Sequence, residues 1–242
     1  MTGPRSASLA PAPAALDPLA ARVVVTDLDR TFSRTDLTWD PAAVAACHAL
    51  RDAGVRTVLA SGQVLGVLAD GSPLLDAFDA FILEGGALWG RPEDGWTATA
   101  GGAPCDPGIR ALTTALVRRG VQVRRGLASL SVAIEDGPAV QAAPESRHVA
   151  LRANRDRLDA TPQGVDKAAA LRQLLGQWNL PLAHAVGLGD GENDRDLLQA
   201  VGHGVAVANA VPELKAVAHE VAPHAASDAF VWVAQRVLAA RT

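Results

Sequence analysis

No apolar run in this 242-residue chain reaches membrane-spanning length. No basic block and no basic–aromatic interleaving marks a nucleic-acid surface, and 22 basic residues against 26 acidic ones leave a net charge of −4. Cysteine is scarce: Cys47 and Cys105 are the two present, and they lack C-x-x-C spacing. Two free thiols in a reducing compartment fit that pattern better than a disulfide. Cys47 falls on the apolar stripe of an expected helix and reads as a small buried hydrophobe. Residues 1–20, MTGPRSASLAPAPAALDPLA, hold a single Arg and no unbroken apolar segment. They lack the form of a secretory signal and are expected to be a mobile tail on a cytosolic protein. No internal repeat is visible.

What the chain has instead is apolar material, 49% of its residues, enough for one large α/β domain or a core with a smaller second domain. The most informative stretch is VVVTDLDRTF, Val23 to Phe32. A buried parallel strand reads as a continuous apolar run, and side chains at i and i+2 of a strand share a face. Asp27 and Asp29 are therefore expected side by side at the strand's carboxyl end, where open α/β sheets place ligands. Carboxylates that close repel unless a cation neutralises them or one holds a proton.

The elements that follow suggest a doubly wound sheet. Asp40-Pro41 signals a helix start and Gly54 its end. VRTVLA (55–60) reads as a second strand ending at Ser61-Gly62, a helix is expected over about 63–70, and AFIL (80–83) is a third strand. This β-α-β-α-β order predicts parallel pairing. From Glu84 the pattern changes. GGALWGRPEDGWTATAGG reads as a hairpin turning at 92–95, Asp106-Pro107 opens a helix to Gly120, and VQVRR, ASLSVAIED and RHVALRAN read as strands. After TPQGVDK the first pattern returns, with a helix at 167–178, the strand HAVGLG, a helix through Leu197 and Leu198, the strand GVAVA, and helices from Val211 and Ser227. The expectation is an α/β core from 21–84 and 162–242, interrupted by a smaller α+β unit over 85–161.

Three further places carry chemistry. Ser61-Gly62 precedes a helix start, where free N–H groups and a hydroxyl can hold an anion, although a plain Ser-Gly turn explains the pair equally well. Lys167 opens a helix, the wrong end for a cation, and a local rule broken this way often marks a functional site; a solvated surface lysine is the alternative. GLGDGENDRDLL, 187–198, crowds Asp190, Glu192, Asn193 and Asp194 into one turn, where some of these acids can serve as helix caps. The segment fails as a dinucleotide fingerprint, since Glu192 takes the third glycine's place. It fails as a calcium loop because Arg195 stands where glycine is needed.

In this order and on these elements, Asp27-x-Asp29-x-Thr31, Ser61, Lys167 and Asp190…Asp194 resemble the haloacid dehalogenase superfamily. The chain is most similar to the branch of Cof-type sugar phosphatases, sucrose-phosphate phosphatase and mannosyl-3-phosphoglycerate phosphatase, with an α+β cap between the second and third motifs. The resemblance implies a doubly wound parallel-sheet core and a phosphatase acting on a small phosphorylated metabolite such as a sugar phosphate. It implies Asp27 as nucleophile, Asp29 as general acid and base, and Thr31, Ser61, Gly62, Lys167 and Asn193 as phosphate contacts. It also implies Mg²⁺ held by Asp27, the Asp29 carbonyl and Asp190, with Asp194 in support. A phosphomutase of the phosphomannomutase type and a non-catalytic phosphate-binding module are the alternatives; the partner expected is a small phosphate ester, with neither nucleic acid nor membrane.

The chain departs from the family pattern at Arg30, usually glycine, at Gln63, often arginine, and at Gly85, commonly asparagine. Trp89, Arg124, Arg125, Arg147 and His148 are the candidates for substrate contacts from the cap.

Overall fold

In the computed structural model, residues 21–64, 66, 72–91, 93–99 and 106–241 are described. The expected tail over 1–20, most of the helix expected over 63–70, Pro92 and Cys105 lie outside them. The elements, in chain order, are β1 (Val23–Thr26), α1 (Pro41–Asp52), β2 (Arg56–Ala60), α2 (Pro73–Ala77), β3 (Ala80–Leu83), β4 (Leu88–Arg91), β5 (Gly95–Ala98), α3 (Pro107–Arg118), β6 (Arg124–Arg125), β7 (Leu130–Ala133), α4 (Gly137–Gln141), β8 (Val149–Asn154) and β9 (Arg157–Pro162). They continue with α5 (Lys167–Gln177), β10 (Ala185–Gly189), α6 (Arg195–Ala200), β11 (His203–Ala206), α7 (Pro212–Lys215), β12 (Glu220–Val221) and α8 (Ala226–Ala239).

Eight strands form the larger sheet, in the order β12-β11-β10-β1-β2-β3-β4-β5. From β12 to β3 neighbours run parallel, and β4 and β5 add on antiparallel. The chain leaves β1 toward β2 and β3, then returns to build β10, β11 and β12 on the other side. The carboxyl end of β1 is thus the point where strand order reverses, and crevices form there. β1 and β10 are buried along their whole length, which explains their unbroken apolar sequence. The helix starts are as their sequences suggest: Asp40 accepts a hydrogen bond from the Ala42 N–H at 2.9 Å, and Asp166 accepts one from the Ala169 N–H at 2.7 Å.

The smaller, four-stranded antiparallel sheet has the order β6-β7-β9-β8. Alternation gives it two unlike faces. Leu130, Val132, Val149 and Ala160 are buried with Ile109, Leu112 and Leu116 of α3 and Val140 of α4, with Leu151 and Leu158 packed against them. The cross-strand row Arg124, Ser131, Asp159, Arg152 lies on the opposite face.

Several expectations needed adjustment. The hairpin β4–β5, read with the insertion, is hydrogen-bonded to β3 in the larger sheet. Trp89 is correspondingly a core residue, 4% exposed, with its indole N–H on Gln173, and is withdrawn as a cap contact. β9 and α4 were not anticipated. Asp27 and Asp29 lie beyond the last residue of β1 and do not share a strand face: Leu28–Phe32 wind into a single wide turn in which Arg30 is left-handed, φ 61°.

The crossings between the two sheets are closely fitted. Gly86 has φ 103°, and a Cβ there would stand 2.2 Å from the Asp166 carbonyl, so only glycine fits.

Candidate active site

Asp27, directly after β1, is 6% exposed. Its Oδ1 accepts a hydrogen bond from Lys167 Nζ at 2.6 Å, and the same ammonium donates to Asp194 Oδ1 at 2.6 Å. Lys167 is in the first turn of α5 and is 1% exposed; the surface-lysine alternative is excluded. Burial works to lower its proton affinity, and Asp194 and Asp27 more than reverse that, so it stays charged. At the end of β10, Asp190 joins the group. One carboxylate oxygen from each of Asp27, Asp190 and Asp194 lies within 4.8 Å of the others. Asp194 is further fixed by the N–H groups of Asp190 and Gly191, which donate to its Oδ2 at 3.0 Å.

Two buried carboxylates, Asp27 and Asp194, therefore share one buried ammonium, and Asp190 beside them pairs with Arg155. Burial, Asp194, Asp190 and Asp29 together raise the pKa of Asp27 well above the usual carboxylate range, with Lys167 opposing them. Burial and then Asp194 push Asp190 up to about 6, against the pull of Arg155. Buried oxygen donors short of positive charge, in this number and proximity, fit a hard divalent cation.

Asp29 is half-buried, and Gln63 Nε2 donates to its Oδ2 at 2.7 Å. Thr31 is fully buried, and its hydroxyl has no hydrogen-bond partner among the described residues. Ser61, also buried, directly follows β2 and accepts the Gln63 N–H on its hydroxyl at 3.0 Å. Gly62 faces the side chains of Asn154, Asp159 and Asn193, each 3.3–3.6 Å from where a Cβ would be.

A cavity of about 210 Å³ opens here, walled by Asp27, Asp29, Gly62 and Asp190 on the core side. Lys167 and Asp194 reach it through Asp27 and Asp190; Thr31 and Ser61 are sequence neighbours of its wall, and Asn193 faces Gly62 of that wall. The opposite wall is the polar face of the small sheet, including Arg124, Ser131, Asn154, Arg155, Arg157 and Asp159. Arg157 Nε donates to Ser131 Oγ at 2.6 Å, Ser131 donates to Asp159 Oδ1 at 2.5 Å, and Asn154 donates to Asp159 Oδ2 at 3.1 Å. Arg124 is thus brought to the cavity, whereas Arg125, on the alternate side of β6, and Arg147 and His148, in the turn before β8, are not on its wall.

Sequence reading passed over Asn154, Arg155, Arg157 and Asp159. A signal was present in RLDATP, where Arg157, Asp159 and Thr161 alternate with apolar residues as a strand's polar face does.

Comparison with known proteins agrees with this geometry. The profile of the haloacid dehalogenase-like hydrolases matches residues 139–233, the segment that carries Lys167, Asp190 and Asp194. A phosphoglycolate phosphatase of Methanoculleus marisnigri is 28% identical over 220 residues, 87% of this chain and 94% of that protein. An HMP-PP phosphatase of Yersinia enterocolitica is 42% identical over 60 residues, 25% of this chain and 22% of its own length. Among solved structures, a haloacid dehalogenase subclass IIB sugar phosphatase superposes with a TM-score of 0.70 at 17% identity, over 84% of this chain and 93% of that one. A Thermoplasma acidophilum protein reaches 0.76 at 18% identity, over 90% and 98% of the two chains. The motifs gathered around this cavity thus lie in a chain that is similar to the haloacid dehalogenase-like hydrolases over residues 139–233 and to a phosphoglycolate phosphatase over most of its length.

Proposed function

We propose that the protein is a Mg²⁺-dependent hydrolase of a small phosphate monoester, working through an aspartyl-phosphate on Asp27. The observation that carries this is Asp27 itself, a carboxylate held by Lys167, next to two more carboxylates and half-buried Asp29 on one cavity wall. An Asp27 oxygen attacks phosphorus as the bond to the leaving oxygen breaks, and Asp29 gives that oxygen its proton. Asp29, now a carboxylate, takes a proton from water as the water attacks the acyl-phosphate, releasing phosphate and restoring Asp27. Gln63 holds Asp29 Oδ2, which leaves Oδ1 to carry the proton. Lys167 offsets the charge on Asp27 and the incoming phosphate, and the unpartnered Thr31 hydroxyl, Ser61, the Gly62 backbone and Asn193 supply phosphate contacts.

Asp27, Asp190 and the Asp29 carbonyl would hold Mg²⁺, with Asp194 acting through water, because Lys167 and two backbone N–H groups already engage both of its oxygens. The cation supplies charge neutralisation for a nucleophile and a substrate of like sign. The cap's polar face meets the rest of the substrate, and a cavity this small suits a compact metabolite such as a short sugar phosphate.

The decisive experiment is phosphate release from an aryl phosphate with Mg²⁺, followed by EDTA. Activity that disappears in EDTA and returns with Mg²⁺ supports the assignment; turnover indifferent to metal refutes it.

A further inference from the structure

One group in the cavity has no part in that scheme. Arg155 belongs to the turn between β8 and β9, on the cap, yet its guanidinium reaches across to the core carboxylates. Nη2 pairs with Asp190 Oδ2 and also donates to the Asn209 carbonyl at 3.1 Å. The residue is left-handed, φ 54°, a conformation that costs a non-glycine residue on the order of 1 kcal/mol. Its backbone N–H is anchored on Glu192 Oε2 at 3.1 Å. The strained turn and this anchor hold the side chain where it is. Its Nε is buried without a hydrogen-bond partner among the described residues. Leaving a buried guanidinium donor unsatisfied is costly, and Arg155 lines the same cavity as Asp27, Asp29 and Asp190. The carboxylate it grips has an oxygen within 4.8 Å of one on Asp27.

We propose that Arg155 is a cap-borne ligand of the reacting phosphoryl group: Nη2 is steadied by Asp190, and Nε donates to a phosphoryl oxygen, so the site is complete only when the cap is closed. This rests on the phosphatase reading and adds a residue to it. Planar guanidinium groups suit phosphate oxygens, and in phosphoryl transfer a positioned positive charge acts on charge spread over the equatorial oxygens. The arrangement also explains why an arginine, rather than a lysine, occupies the tip of this turn. Nη2 can stay on the core carboxylate while Nε, which has no partner among the described residues, is left to donate.

The test compares Arg155→Gln, Arg155→Lys and Glu192→Gln with the unaltered enzyme, using an aryl phosphate as substrate and orthovanadate and inorganic phosphate as inhibitors. Arg155→Gln should lower kcat by about a hundredfold or more, the loss typical of removing one donor to transition-state charge. It should weaken inhibition by vanadate, which mimics the five-coordinate state, more than inhibition by phosphate. Arg155→Lys should recover part of the kcat loss. Glu192→Gln, which weakens only the backbone anchor, should change KM more than kcat. If Arg155→Gln keeps kcat and vanadate inhibition within threefold, or shifts only KM as Glu192→Gln does, the residue is a structural clamp and the proposal is wrong. Should Arg155→Gln fail to fold, the kcat and vanadate inhibition of Arg155→Lys decide: values matching the unaltered enzyme overturn the proposal. An unaltered enzyme with no Mg²⁺-dependent turnover would instead overturn the phosphatase reading.

Discussion

At the scale of single residues, the site is governed by a shortage of positive charge. Lys167 alone, fully enclosed, serves Asp27 and Asp194, and Asp190 leans on Arg155 from the cap. Asp27→Asn should therefore abolish turnover, since a neutral amide is a poor nucleophile. It should leave the metal-free melting temperature at or above that of the unaltered chain, because burial already opposes the charge it removes. A large drop in that temperature would mean the Asp27–Lys167 pair stabilises the fold. The same shortage sets a pH dependence. The folded pKa of Asp190, about 6, exceeds the usual unfolded value near 3.9, so its stabilising contribution is present below the unfolded value and is lost as pH rises through the folded one. Raised Asp27 acts in the same direction. A divalent cation held there would relieve that loss by binding the deprotonated carboxylates, so Mg²⁺ should raise the melting temperature more at pH 7.5 than at pH 5. An equal rise at both values would contradict this account. These residues were legible in the sequence because each broke a local rule: acids at a strand end, and a lysine at a helix start.

At the scale of elements, strands with unbroken apolar runs and helices with Asp caps were readable, and the joints were not. The closeness of Asp27 and Asp29 comes from the wide turn at Leu28–Phe32, whose left-handed Arg30 no periodicity reveals. β9 was hidden because its outward half is polar and it faces a cavity rather than solvent. The hairpin β4–β5 was seen, but sequence does not say which sheet edge a hairpin joins. The joint itself depends on Glu84, a buried carboxylate with φ 55°. Its two oxygens accept hydrogen bonds from the N–H groups of Leu127 and Ala128 at 2.8 Å and from the Ser129 hydroxyl at 3.0 Å. Glu84→Ala strips these partners from the turn before β7 and should cost on the order of 2 kcal/mol or more. Hydrogen exchange at Leu127 and Ala128 should accelerate; unchanged protection at both amides would show that the carboxylate is not what holds the turn.

At the scale of the whole molecule, the two walls of the cavity come from different sheets, and the chain crosses between them beside it. Arg152 fastens the cap to the core through the Val165 carbonyl at 2.9 Å and through Asp196 at 3.3 Å, so cap and core contacts are made together when the cleft is shut. The core's assembly has its own consequence. Val23 pairs in register with Ala185, which places β1 between a neighbour made early in synthesis and one made late, with the entire cap emerging between them. One edge of β1 therefore waits, unpaired and apolar, for most of translation, and such edges invite pairing with other chains. Contacts this distant in sequence also form slowly, whereas the cap's strands are close neighbours along the chain. In refolding followed by pulse-labelling hydrogen exchange, amides of Leu130–Ala133 should gain protection before those of Val23–Thr26; the reverse order would show that β1 finds its partner without waiting. Until β10 docks, Asp27 lacks Asp190 and Asp194 beside it, so the cluster of buried carboxylates comes together only late in the making of the chain.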